Sequence, residues 1–132
     1  MALITRASTA SIDASTAMFA PQITGKIAGE DIDAAAPCYI AAADGKAYMC
    51  DATAADAKAV LAGFSPRAAK AGEPITLFAA GARFSYGSGL TPGAKLYIGA
   101  TKGRLDGAAT TGDAVGVAQV IDTTDIRVTR MI

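Results

Sequence analysis

Two stretches decide the reading of this chain: Ala36-Pro-Cys-Tyr39-Ile40-Ala-Ala42-Ala-Asp-Gly45-Lys46 and Ala94-Lys-Leu-Tyr97-Ile98-Gly-Ala100-Thr-Lys-Gly103-Arg104. They align at an offset of 58 residues on the pattern A-x-x-Y-I-x-A-x-x-G-[KR]. Thr53 keeps that offset with Thr111, and each copy ends in an apolar run of small residues, Val60-Leu-Ala-Gly-Phe64 and Val115-Gly-Val-Ala-Gln119. Two copies are too few for a solenoid. They predict two similar β-hairpin units packed about a pseudo-twofold axis, with Pro74–Tyr86 as a third hairpin between them. Chance alignment in an Ala- and Gly-rich chain is the competing account. The Tyr-Ile and Gly-basic pairs, matching in register, weigh against it.

Outward from the repeat, the chain reads as short strands and turns. Cys38–Ala42 and Lys46–Met49 flank Asp44-Gly45, a hairpin signal. Ile23–Ala28, Lys95–Ile98 and Val115–Ile121 are further strand candidates, and Ile75–Ala79 and Ala82–Tyr86 flank Gly81 as a hairpin. The last run alternates cleanly, with Ile126 and Val128 on one face and Arg127 and Thr129 on the other. Turn signals recur about every 10 residues, which predicts an all-β barrel or sandwich. Alanine favours helix, but Gly, Pro, Asp and Thr cut its clusters every few residues. Thr53–Leu61 alone has room for one or two helical turns, with Thr53 as cap and Asp56 closing a weak capping box.

Composition bounds the rest. A chain of 132 residues and 13.2 kDa is one domain. It exposes about 6,400 Å² folded against about 19,000 Å² unfolded, enough burial for one core. Of its apolar residues 32 are Ala, while Leu, Ile, Val and Phe total 26, so the core is thin and made of small side chains. Such a domain gains stability from partners or a docking surface. Twelve basic residues balance twelve acidic ones, which argues against nucleic-acid binding by phosphate neutralisation. No run approaches the roughly 20 apolar residues of a membrane span, and Met1–Arg6 does not read as a signal peptide. The absence of His removes the commonest general base and most zinc sites. The balance is against an enzyme, with no cofactor, metal or small-molecule substrate expected.

Each candidate for chemistry has a plainer account. The two cysteines lie on the two arms of the first hairpin. A three-residue Ala43–Gly45 loop would set Cys38 opposite Cys50, within disulfide reach; a two-residue turn would place them on opposite faces. Buried free thiols are the default without an oxidising compartment. Ser85-Tyr-Gly-Ser-Gly89 lacks the order of a nucleophile elbow and the lysine of a phosphate loop, so it reads as a strand ending in a loop. Glu30-Asp31-Ile-Asp33 offers carboxylates for Ca²⁺ or acid–base work, yet reads first as a solvated loop. Asp122–Asp125 reads as a tight turn.

Three phrases carry a resemblance. Ala71-Gly-Glu-Pro-Ile75, then Ala82-Arg-Phe-Ser-Tyr86-Gly-Ser-Gly-Leu90-Thr-Pro-Gly-Ala-Lys-Leu-Tyr97-Ile98, then Gly112-Asp-Ala-Val-Gly-Val-Ala118 resemble the capsid decoration, or cement, proteins of tailed bacteriophages. Tyr39-Ile, Asp44–Tyr48 and Ala52–Asp56 extend the resemblance over roughly residues 23–132. Related tail and fibre domains use similar turn-and-strand phrases. The resemblance implies a small β-rich virion protein on the outer capsid surface, commonly a homotrimer, that bridges major capsid protein subunits and resists internal DNA pressure. It implies no catalytic residues.

Residues 1–22 match nothing in that family. They are rich in Ser, Thr and Ala, and Pro21 closes them. Leu3, Ile4, Arg6, Met18 and Phe19 suggest an extended N-terminal arm that lies on the capsid or a neighbouring subunit, ahead of a single β-rich domain over 23–132. A tail- or head-fibre β-domain is the alternative reading. A carbohydrate-binding module is disfavoured by the absence of Trp.

Overall fold

The computed structural model describes Leu3 and residues 22–130. The short apolar runs, broken by Gly and turn residues, form ten strands. These are β1 Gln22–Ile27, β2 Pro37–Ile40, β3 Ala47–Met49, β4 Gly63–Phe64, β5 Pro74–Phe78, β6 Arg83–Ser85, β7 Lys95–Ile98, β8 Leu105–Asp106, β9 Ala118–Val120 and β10 Asp125–Val128. The fold is all-β, as expected. Two antiparallel five-stranded sheets, ordered β1-β5-β4-β2-β3 and β6-β10-β9-β7-β8, share a core and do not close into a barrel. The barrel alternative fails because β1, β3, β6 and β8 all stay at sheet edges, unpaired with one another.

The second strand order is the first with every strand advanced by five. The repeat read from two hairpins therefore extends to the whole of both sheets, as unit 1 (residues 22–78) and unit 2 (residues 83–128). Register is kept as well. Tyr39 opposes Tyr48 and Ile40 opposes Ala47, just as Tyr97 opposes Asp106 and Ile98 opposes Leu105. Pro37–Phe64 and Cys38–Gly63 match Lys95–Gln119 and Leu96–Ala118. The hairpin loops close with Ala41 N–H donating to Lys46 O (3.0 Å) and Gly99 N–H donating to Arg104 O (2.8 Å). Gly45 and Gly103 both take positive φ, at 70° and 75°.

Two expectations about this symmetry are corrected. Ile75–Ala79 and Ala82–Tyr86 do not pair with each other. β5 joins the first sheet and β6 the second, and the Gly81 turn (φ 96°) carries the chain between them. The units are also not related as an isologous twofold pair. Strand alternation gives each sheet two faces. In unit 1, Cys38, Ala47, Leu77 and Ile23 point to a core that belongs to that unit alone. Their counterparts in unit 2, Leu96, Leu105, Ile126 and Phe84, point into the core shared between the sheets. What meets them from unit 1 is the opposite face, carrying Phe64, Phe78 and Tyr39. Phe64 and Phe84 meet with ring centroids 5.2 Å apart. The packing is head-to-tail, a heterologous contact within one chain.

Loop length explains the asymmetry. Between β4 and β5, residues 65–73 fold back over unit 1, and Ala69 bridges Ile32 through a pair of backbone hydrogen bonds (2.7 and 2.9 Å). Ile32 and Ala69 are buried, so this loop pair lids the unit 1 core. The equivalent loop in unit 2, residues 121–124, is a tight turn built on Asp122, whose carboxylate accepts from Thr124 N–H (2.9 Å) and Asp125 N–H (2.7 Å). It is too short to form a lid. The back of unit 1 takes that role.

The helical segment shrinks to one 3-10 turn, Ala57–Ala59. Its cap is Asp56, which accepts from Lys58 N–H at 3.0 Å; Thr53 is not the cap. Thr53 instead donates its N–H and hydroxyl to Asp51 (2.9 and 2.6 Å), and its hydroxyl also reaches Ala100 O (3.0 Å). The first hairpin also departs from both loop lengths considered. Its loop, Ala42–Gly45, is one residue longer than the Ala43–Gly45 loop, so Cys38 opposes Met49. Cys50 N–H donates to Pro37 O (2.7 Å), which puts the two thiols on opposite faces of the sheet, in different cores. Both are free.

Candidate interaction surface

Of the five residues predicted to touch a capsid or subunit, Leu3 is exposed. Ile4, Arg6, Met18 and Phe19 lie outside the described residues. The described residues bring together a different set.

A seam of backbone hydrogen bonds makes the two units one platform. Ala52 sits at its centre: its N–H donates to Gly99 O and its O accepts from Gly112 N–H, both at 2.9 Å. Gly103 N–H donates to Cys50 O at 2.9 Å. Gly112 is there because a Cβ would stand 2.6 Å from Ala54 O and 2.7 Å from Ala59 Cβ. Glu30 spans the seam, accepting Met49 N–H (2.9 Å) and pairing with Lys102 on the unit 2 hairpin.

Asp113 is the polar anchor of unit 2, at 2% exposure. Its carboxylate accepts from Ile98 N–H (2.9 Å), Gly116 N–H (2.8 Å), Val115 N–H (3.1 Å) and the Arg130 guanidinium (3.0 Å). Burial by itself would raise its pKa. The three N–H donors and Arg130 outweigh burial and hold it below the usual carboxylate range. The group is therefore a fixed anion that ties β7 to the start of β9, with no proton to exchange near neutrality.

The other candidates for chemistry are each committed separately. Asp31 accepts Ala71 N–H (3.0 Å) and faces Lys70 (3.7 Å), so the Glu30–Asp33 carboxylates do not converge. Among the described residues, no group of three acidic or thiol side chains is placed to hold a metal ion. Burial, then the nearby Glu30, pushes the Cys38 thiol up to about 12. Burial, then Cys38, raises Cys50 further. Neither is an available nucleophile. Tyr86, the second residue of the Ser85–Gly89 stretch, accepts Leu105 N–H (3.0 Å) through its hydroxyl. No helix among the described residues is long and apolar enough to cross a membrane.

Two surfaces stand out among the described residues. One is a cleft of about 260 Å³ at the mouth of the shared core, lined by Phe64, Phe78, Phe84, Pro66, Ala35 and Arg83. Ala35 holds φ 58° there, at a cost of about 1 kcal/mol, and its N–H donates to Ser65 O (2.7 Å). Arg83 is clamped by Asp122 and Asp125, both at 3.1 Å.

The other surface is the outer face of the second sheet. Lys95, Gln119, Arg127 and Arg83 form one row across β7, β9, β10 and β6. The matching row in unit 1 is Pro37, Phe64, Phe78 and Gln22; Phe64 and Phe78 are turned into the shared core, and Pro37 is fully buried. Sequence reasoning paired Phe64 with Gln119 in the repeat without reading the change of polarity as a change of surroundings. The alternation of Ile126-Arg127-Val128 did mark this face. Asp113 was missed, because one Asp between Gly112 and Ala114 looks like any turn residue until the fold collects its donors.

The chain matches no protein-family model, no curated protein and no solved structure.

Proposed function

We propose that this protein is a structural component of a tailed-phage virion that seats on the outer surface of the head and reinforces the major capsid protein lattice, as a homotrimer. The supporting observation is a sheet face left open on an otherwise sealed scaffold. Among the described residues, unit 1 is covered on both sides, by its own lid and by unit 2, whereas unit 2 is covered on one side only. The phrases that resemble decoration proteins, Ala82–Ile98 and Gly112–Ala118, build this same unit. A thin core of Ala and short aliphatics gains from association, since anything that binds the folded state alone stabilises it by mass action.

Head-to-tail stacking of like units also favours a second reading, a module of a tail or head fibre, where β-units are strung in series. Co-sedimentation with expanded, undecorated heads of the encoding phage separates the two. Saturable binding at a fixed ratio to the capsid subunit, with added resistance of the heads to heat, is the expected result. A stable trimer that leaves the heads bare would overturn the cement reading and favour the fibre.

A further inference from the structure

Zero net charge hides a division. Residues 22–82 carry seven acidic and five basic side chains, while residues 83–130 carry four acidic and six basic ones. The basic excess gathers on the outer face of the second sheet. Arg127 stands directly opposite Arg83. Like charges so placed on neighbouring strands work against the sheet. Arg83 is drawn aside by Asp122 and Asp125. Arg127 and Lys95 are exposed and form no ion pair with another described residue. Beside Lys95, a shallow basin of about 300 Å³ is bounded by Val115, Gln119, Thr129 and Arg130, and Val115 is 59% exposed on its rim.

We infer that this face, centred on Lys95, Gln119 and Arg127, is a docking surface for an acidic protein surface that also offers an apolar side chain to the basin beside Val115. Charge complementarity carries the choice of partner. Two unpaired cations, Lys95 and Arg127, stand where unit 1 has Pro37 and Phe78. An anionic partner would pair both of them and desolvate them only where carboxylates meet them. Nucleic acid is the poorer fit, because the row spans one sheet without a groove and without stacking aromatics at its centre. The inference rests on the reading above in one respect: it names the face that would meet the capsid lattice.

The test has two arms. In the first, wild-type protein, the double variant Lys95→Glu/Arg127→Glu and a unit 1 control, Lys26→Glu/Lys46→Glu, pass over immobilised poly-L-glutamate and over duplex DNA at low salt, pH 7.5. Retention of wild type and control on polyglutamate, lost in the double variant, is expected; a net-neutral chain is held there only by a local patch. Flow-through of the wild type, or stronger retention on DNA, overturns the inference. In the second arm the same proteins are co-sedimented with undecorated heads. The double variant should lose about tenfold in affinity. If it binds like wild type, the face is wrong and the cement reading stands. If wild type ignores heads yet shows the polyglutamate pattern, the cement reading falls and the face stands. Arg127→Gln guards against misfolding as the cause: its melting temperature should equal or exceed that of wild type while its retention falls.

Discussion

The two units share strand order and register, yet among the described residues one is buried on both faces and the other on one. The row Pro37, Phe64, Phe78 in unit 1 and the row Lys95, Gln119, Arg127 in unit 2 occupy equivalent positions. The same backbone therefore tolerates either chemistry. What differs is the loop between the fourth and fifth strands of each unit. A long loop in unit 1 closes one face from within the chain and frees the other to act as a lid. A tight turn in unit 2 leaves one face of its sheet without a lid among the described residues. The repeated fold is thus unequal in loop length and in polarity along one row, and the unequal face is the one proposed above to meet a partner. Polar substitution of that last face also ends the stack, as terminal repeats do in serial proteins.

The sharpest way to break this comparison is to truncate equivalent residues. Phe64→Ala should cost about 4 kcal/mol, because a fully buried aromatic between the sheets leaves a cavity. Gln119→Ala, at the matching position, should cost less than about 0.5 kcal/mol. Urea titrations of the two variants measure both, and equal costs would refute the head-to-tail packing.

A smaller difference separates the carboxylates that organise the connections into β4 and β9. Asp113→Asn should destabilise by about 3 kcal/mol, since it leaves Arg130 and buried N–H donors poorly matched. Asp56→Asn, at the exposed 3-10 cap, should cost about 0.5 kcal/mol or less. The pH dependence follows from the depressed Asp113 pKa. Its contribution is complete above the unfolded carboxylate value, near 3.9, and is lost as pH falls through the lower folded value. Unfolding free energy measured from pH 7 down to pH 2 should therefore decline below about pH 4 in the wild type, and less steeply in Asp113→Asn.

The smallest effect distinguishes the two hairpin glycines. Gly45→Ala and Gly103→Ala each place a side chain at positive φ, a cost of about 1 kcal/mol. At Gly45 the new Cβ meets nothing within 4 Å, whereas at Gly103 it would stand 2.5 Å from Met49 Sδ. Thermal melts should rank Gly103→Ala below Gly45→Ala by a few tenths of a kcal/mol, because the Met49 side chain can move aside.

Much of this was legible beforehand. Strand positions, the two hairpins and the all-β class follow from alternation and turn residues, which act over a few neighbours. The offset between Tyr39-Ile40 and Tyr97-Ile98 disclosed the repeat, though only for the hairpins, because β1 and β5 share no alignable pattern with β6 and β10. The cysteines' faces hung on a loop length that the sequence left open; the four-residue loop Ala42–Gly45 sets them on opposite faces and leaves both thiols free, as the default reading had it. With a side-chain period of two, one residue moves a side chain to the other face.

The sequence by itself determined which residues form strands and which of them share a face, because both follow from local backbone geometry. Tertiary structure decided which face meets which. That choice depends on long-range contacts: the Ile32–Ala69 lid, the Ala52 seam and the gathering of donors around Asp113. None of these leaves a periodic trace in the chain. The pairing of β5 with β1 rather than β6, the head-to-tail stack and the exposed row of Lys95, Gln119 and Arg127 all come from that level.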